Sequence, residues 1–487
     1  MKKENPFRLL EKTILLIMLG VIAVFSFLPL DHTIFAIILV LVLLGWSLLF
    51  YINRSYSLAD IPLLFLWLGT FSLGKAFSIL SIGGESLPLY VTEITLALAL
   101  GLLVWQQKSP VVLWKNWVAF LPKSLVYILP GYILLGTVYL VLGVKANGAA
   151  ALRDIVICHY SLWLFIMLSV LGNTQRIQRL WRFFVPGLVI LFWAGFKLHY
   201  LYKPLDAAFR QFVSVSKATN FTLYFGLVFI FGLCFLPMLG KKMQWLTRCL
   251  LFFSLLFVIA WESRTAWVAL IVALIFLAFL LKKEFLLAPL LIVLMIPTLF
   301  AIDYFQLGIK NNKIATLGKG LSAITQMSEI STKGANIKFR LRLWKETGDK
   351  IKERPLFGWG FGVQIDYLIW GTRLSELKAK GLNNGILPPH NHILAVAHKM
   401  GIFGLALFLF INGRIFFAGL FYLKECTSPF HRRFLIGALA GLLYWHGMAF
   451  LFDILESPPT GIFLWLLLGC ILALIHADKS VVVREQQ

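Results

Sequence analysis

The sequence predicts an all-α integral membrane protein: a polytopic bundle of about 14 transmembrane helices (12–14), with one large helical loop on the outer face. Three observations predict it. Of the 487 residues, 60% are hydrophobic and only 14% are charged, where soluble domains carry about 25% charged residues. Apolar runs near the ~20-residue length of a bilayer-crossing helix recur along most of the chain. Lys and Arg, which give a net charge of +23, alternate between the segments that separate those runs. The composition excludes a soluble enzyme, a disordered protein and a secreted disulfide scaffold.

In chain order, the spans fall near 11–30, 33–51, 60–80, 88–106, 124–143, 155–172, 181–200, 218–239, 246–262, 265–282, 285–302, 391–413, 433–453 and 460–476. Alternate connections carry Lys2, Lys3, Arg8, Arg54, Lys108, Lys241, Lys242, Lys424, Arg432, Arg433 and Arg484, among others, while the short loops near 31, 84 and 456 carry no Lys or Arg. The positive-inside rule then places both termini in the cytoplasm. Much of the positive charge is topology, so nucleic acid is not an expected partner. Residues 1–302 hold membrane helices 1–11, residues 303–389 form the outer loop, and residues 390–487 hold the last helices and a cytoplasmic tail.

The loop is long enough to be functional. Residues 337–354 place Phe339, Leu343, Trp344 and Ile351 on one helical face, and 363–380 read as a second amphipathic stretch with Tyr367 and Leu368. Fourteen Lys/Arg stand against seven Asp/Glu here. That excess fits a solvated basic face near lipid headgroups or a docking surface for a phosphorylated substrate.

Four local patterns carry chemistry. Gly358-x-Gly360-x-Gly362 lacks the strand and helix of a dinucleotide fingerprint and reads as a tight turn bringing backbone close to something. Pro388-Pro389-His390-Asn391-His392 precedes a span, so His390 lies near the water boundary at a helix N-terminus. The helix dipole there favours a neutral imidazole, which can act as a general base; an interfacial histidine binding a headgroup is the plainer reading. Arg264 opens Ser263-Arg264-Thr265-Ala266-Trp267 at the outer end of a span; an arginine there is a functional candidate or a snorkelling side chain. Arg340 lies four residues before Trp344, so the two share a helical face. His390, His392 and His398 lack zinc-site spacing, so no metal is expected.

These elements, in this order, resemble the O-antigen ligase/O-antigen polymerase superfamily of bacterial membrane glycosyltransferases. The resemblance rests on Ser263–Trp267, on Arg340-x-x-x-Trp344 with Pro355–Gly362, and on His390-Asn391 followed after nine residues by Gly401 and then Gly404. It covers roughly residues 220–425. The resemblance implies an inner-membrane enzyme acting on the periplasmic face, without metal, cofactor or nucleotide sugar. Its donor would be an undecaprenyl-pyrophosphate-linked glycan and its acceptor the lipid A–core oligosaccharide of lipopolysaccharide biosynthesis, or another glycan in the polymerases. Related members glycosylate proteins. By position, His390 matches the catalytic histidine and Arg264 and Arg340 the pyrophosphate-binding arginines, with Asn391, Trp344, Gly358, Gly360 and Gly401 supporting. A polysaccharide transporter, the non-enzyme alternative, is expected to show internal repeats and paired broken helices, and neither is legible here.

Overall fold

The computed structural model describes residues 81–82, 89–171, 218–260, 264–281, 334–369, 372–373, 375–376, 389–452 and 454–485, together with Pro62, Leu63 and Leu66. The expected spans 11–30, 33–51, 181–200 and 285–302, and all but three residues of 60–80, lie outside them, as do residues 303–333.

The described chain is helical apart from two pairs of two-residue strands. Its main helices are α1 (Val91–Gln107), α2 (Pro110–Val118), α3 (Leu125–Asn147), α4 (Leu162–Leu171), α5 (Ala218–Phe235), α6 (Lys241–Ala260) and α7 (Arg264–Leu281). They continue with α8 (Gly334–Glu353), α9 (His392–Tyr422), α10 (Pro429–Leu451) and α11 (Pro458–Glu485). Among the described residues four helical segments are long and apolar enough to cross a membrane, or five if α1 and α2, bent by 99° at their junction, form one span. Pro110 and the side-chain cap of Ser109 explain that bend, because together they start a new helix.

Apolar side chains line both the inside and the outside of this bundle. Trp163, Trp445, Trp465, Tyr132 and Tyr444 are fully buried, while Val138, Phe253, Val272, Phe279, Phe410 and Phe421 are exposed on helix surfaces. Exposed apolar faces on this scale mark a lipid-contacting surface. With the apolar helices, they make the protein an integral membrane protein.

Close helix contacts come from small residues, as expected where lipid removes the hydrophobic drive for association. α7 packs along α10, where a Cβ on Gly447 would stand 2.9 Å from the Ala269 Cβ. Gly226 of α5 admits the Tyr444 ring, whose hydroxyl donates to the Thr222 carbonyl at 2.7 Å. Trp445 Nε1 donates to the Thr460 carbonyl of α11 at 2.8 Å. α10 is therefore held from several sides before it reaches the site at its C-terminal end.

Two expectations are corrected. The span expected at 391–413 runs on to Tyr422 and is broken at Gly401, where φ is 66° and ψ −172°. The stretch 363–380 is not one amphipathic helix. Leu368–Ile369 (β1) pairs antiparallel with Thr372–Arg373 (β2). Asp366 favours the hairpin, since its carboxylate accepts from the Ser375 amide at 2.8 Å and hydroxyl at 2.9 Å. Tyr367 is still buried, but against Leu343 of α8, with its hydroxyl 2.8 Å from Thr347 Oγ1.

Candidate functional site

Helix α8 forms over the expected stretch, because Leu343, Trp344 and Phe339 bury one face while Lys345, Asp349 and Lys352 solvate the other. Its buried face meets the C-terminal end of α10 and the entry to α9. Trp344 Nε1 donates to the Pro389 carbonyl at 2.9 Å, and its ring meets Phe450 edge-on at 5.8 Å. One turn earlier, Arg340 donates through Nη1 to the Leu451 carbonyl at 3.0 Å and lies over the Phe452 ring, 4.9 Å from its centre. The shared face of Arg340 and Trp344 is thus fastened at two points, by Trp344 to the peptide that precedes His390 and by Arg340 to the end of α10. Burial lowers the Arg340 pKa from its ordinary value. The hydrogen bond to the Leu451 carbonyl uses one of the five donors of the guanidinium.

His390 stands two residues before the start of α9 at φ 52°, in the left-handed region, and is half-buried. The cap itself is Asn391. Its side-chain oxygen accepts from the amides of Ile393 at 2.9 Å and Leu394 at 3.2 Å, filling the open end of the helix. His390 is therefore displaced from the helix barrel, in a conformation that is uncommon for a residue with a side chain.

The three glycines of 358–362 have φ of 68°, 88° and 84°, and their function in the fold is specific. The break at Gly401 frees carbonyls before it and amides after it, and Pro355–Gly360 satisfies them. Trp359 and Gly360 amides donate to the His398 and Lys399 carbonyls at 2.8 and 2.9 Å. Ile402 and Phe403 amides donate to the Pro355 and Leu356 carbonyls at 2.8 and 3.3 Å. A Cβ on Gly358 would lie 2.6 Å from the Gly401 nitrogen, and one on Gly401 would lie 2.2 Å from the Leu356 oxygen. A broken helix inside a membrane needs its backbone groups satisfied by protein, and this loop does it. The expected tight turn that brings backbone close to something is present, and what it approaches is α9. A transporter was expected to show paired broken helices, and the break at Gly401 is one break within α9. Here a loop fills the break.

The same loop is tied to α3 and the 3-10 turn after it. Tyr139 donates to the Phe357 carbonyl at 2.5 Å and Asn147 Nδ2 to the Phe361 carbonyl at 2.8 Å. The Gly362 amide donates to Asp154 at 2.7 Å, and Lys399 Nζ meets the same carboxylate oxygen at 2.5 Å. Asp154 is buried, so this is a buried ion pair joining α9 to the 3-10 turn beneath the glycine loop. Arg153, beside it, faces the buried Glu456 at 3.9 Å. Neither Asp154 nor Lys399 stood out in the sequence, because one charge in each of two distant apolar stretches announces no partner.

The sequence also did not reveal a polar chain through His392, His446 and Asn412. His446 has Nδ1 3.3 Å from His392 Nε2 and Nε2 3.3 Å from Asn412 Oδ1. Arg264 is the first residue of α7, and its side chain lies outside the described residues, as do Glu262 and Ser263. Close by, Trp267 Nε1 donates to the Val258 carbonyl of α6 at 2.9 Å.

Comparison with known proteins bears on the same part of the chain. The sequence model of the family described as O-antigen ligase matches residues 249–409. Two rickettsial proteins, each provisionally named a polysaccharide ligase, are similar over 89 residues: one of Rickettsia prowazekii at 36% identity and one of Rickettsia typhi at 32%. Each alignment covers 18% of this chain and 20% of the relative, so the match spans about one fifth of those proteins. The segment that is similar to this family runs from the middle of α6 to the middle of α9 and contains Arg264, Arg340 and His390.

Proposed function

We propose that the protein is an O-antigen ligase-type glycosyltransferase that moves a glycan from undecaprenyl pyrophosphate to the lipid A–core oligosaccharide on the periplasmic face of the bacterial inner membrane. The observation that carries this reading is the shared face of α8, from which Trp344 holds the Pro389 carbonyl before His390 and Arg340 holds the Leu451 carbonyl at the end of α10, with Arg340, Trp344 and His390 all within the matched segment.

The chemistry suits these residues. A lipid pyrophosphate is already a good leaving group, and it needs cations more than a protonating acid. Arginine offers a planar fork of donors for its oxygens. Arg340 contributes from α8, and Arg264 from the start of α7. The nucleophile is a sugar hydroxyl. As its oxygen attacks the anomeric carbon, the proton passes to a neutral His390 imidazole. The bond from that carbon to the pyrophosphate oxygen breaks, its electron pair stays on the pyrophosphate, and the configuration at carbon inverts. No metal or cofactor enters this balance.

The test supplies purified protein with one labelled lipid-linked repeat, with and without lipid A–core, and without ATP or divalent metal. Label moving only onto lipid A–core is the expected result. A ladder of longer lipid-linked glycans without lipid A–core would make it a polymerase. His390→Ala should lower transfer by about 10²–10⁴-fold while leaving affinity for undecaprenyl pyrophosphate intact. Full transfer by that variant would refute the general-base role.

A further inference from the structure

His392, His446 and Asn412 form a directed chain in the interior of the bundle. Asn412 donates through Nδ2 to the Phe408 carbonyl at 2.8 Å, one turn back in its own helix. That bond leaves the Asn412 carbonyl oxygen facing His446 Nε2, which must therefore carry a proton. The Nδ1 of a neutral His446 is then an acceptor, so His392 Nε2 is the donor across the 3.3 Å gap. His392 and Asn412 are only 2% and 4% exposed. Trp445 packs edge-on against both rings, with centroids 5.8 Å from His392 and 5.1 Å from His446. Two buried polar side chains and a half-buried imidazole between them are costly wherever an apolar core would serve, so their arrangement calls for a use.

Their position supplies one. His392 lies in the first turn of α9, two residues beyond His390, whose left-handed backbone persists only if its surroundings determine it. Trp344 holds the preceding carbonyl from the loop side, and Asn391 caps the helix. The His446 ring holds the first turn from the side of α10. The same helix, α10, ends at the Leu451 carbonyl that Arg340 grips.

We infer that His446 is a positioning residue: anchored by Asn412, it fixes His392 and with it the orientation of His390, so that one helix sets the place of both the base and the phosphate-binding cation. The inference rests on the role proposed above for His390, and it touches no substrate atom itself.

The experiment uses full-length protein with labelled undecaprenyl-pyrophosphate-linked glycan and lipid A–core, and measures binding of undecaprenyl pyrophosphate alone. His446→Phe keeps the volume and removes both hydrogen bonds. Misplacing a reacting group by about 1 Å costs on the order of 100-fold, so kcat should fall by about 10-fold to 100-fold, with donor KM and undecaprenyl pyrophosphate affinity unchanged. His446→Asn, which restores an acceptor toward His392, should recover part of the loss. Adding Asn412→Ala to His446→Phe should cause little further loss, since both act through one chain. An unchanged kcat, a loss carried by KM, or additive losses in the double variant would overturn the inference. If His446→Phe does not fold, Asn412→Ala alone decides: a kcat loss at unchanged donor affinity supports positioning, and a wild-type kcat overturns it. His390→Ala separates the two levels. If it retains full activity the general-base reading fails, whereas an inactive His390→Ala beside a fully active His446→Phe removes only the positioning role.

Discussion

Replacing Gly401 with alanine tests whether the glycine loop holds the broken helix. At φ 66° and ψ −172° Gly401 occupies a region essentially reserved for glycine, and a side chain there costs roughly 1–3 kcal/mol. The new Cβ would also stand 2.2 Å from the Leu356 oxygen and 2.5 Å from the Phe357 nitrogen, both backbone atoms that cannot swing aside. The alternative is to expel Pro355–Gly360 and straighten α9, which forfeits the four intersegment hydrogen bonds to Trp359, Gly360, Ile402 and Phe403. At about 1 kcal/mol each, these sum to roughly 4 kcal/mol. The cheaper path sets the outcome, so docking of the loop should weaken by about 2–4 kcal/mol, roughly 30-fold to 1,000-fold. Hydrogen exchange of the 355–362 and 398–403 amides in purified protein would read this directly, alongside glycan transfer. Gly413→Ala is the control: nothing lies within 4 Å of its new Cβ, and in a helix the change should be neutral or stabilise by about 0.5–1 kcal/mol. Wild-type exchange protection and full transfer in Gly401→Ala would refute the argument.

Three further outcomes are expected. Lys399→Met strands the buried Asp154 carboxylate, a loss of about 3–5 kcal/mol, while Lys399→Met with Asp154→Leu should be closer to wild type; thermal unfolding in detergent compares them, and equal losses would show that the pair is not coupled. Arg340→Lys and Arg264→Lys should each weaken undecaprenyl pyrophosphate binding, because lysine keeps the charge but loses the fork; Arg340→Lys also faces the Leu451 carbonyl with a single ammonium, and titration with undecaprenyl pyrophosphate measures both. Cysteine introduced at Gly318 should react with an impermeant thiol reagent in spheroplasts and cysteine at Ser480 should not, since the Lys/Arg alternation puts them on opposite sides; the reverse pattern would invert the site's orientation.

Helices α3, α5, α7, α10 and α11 follow apolar windows that can be read residue by residue, because a membrane helix satisfies its own backbone and needs only a run of sufficient length. α8 was legible for a related reason: Phe339, Leu343 and Trp344 repeat at helical spacing, and Arg340 shares their face. The hairpin at 368–373 was missed because a few apolar residues over a short stretch satisfy more than one periodicity. What selected the strand pairing was the Asp366 bond to Ser375, together with burial of Tyr367 on α8.

The sequence by itself determined that this is a helical membrane protein, that residues 263–404 carry an ordered set of motifs, and that Gly358, Gly360 and Gly362 form a tight turn. It could do so because apolar length, charge alternation and glycine placement are local properties. Only the tertiary structure decided what those glycines approach, that Arg340 is held by the last carbonyl of α10, that Asp154 and Lys399 are partners, and that His446 is linked to His392 and Asn412. Each of these is a pairing between groups 34 to 245 residues apart in the chain. A buried donor or acceptor must find a partner, but its own segment does not say which distant one the packing of the helices will bring to it.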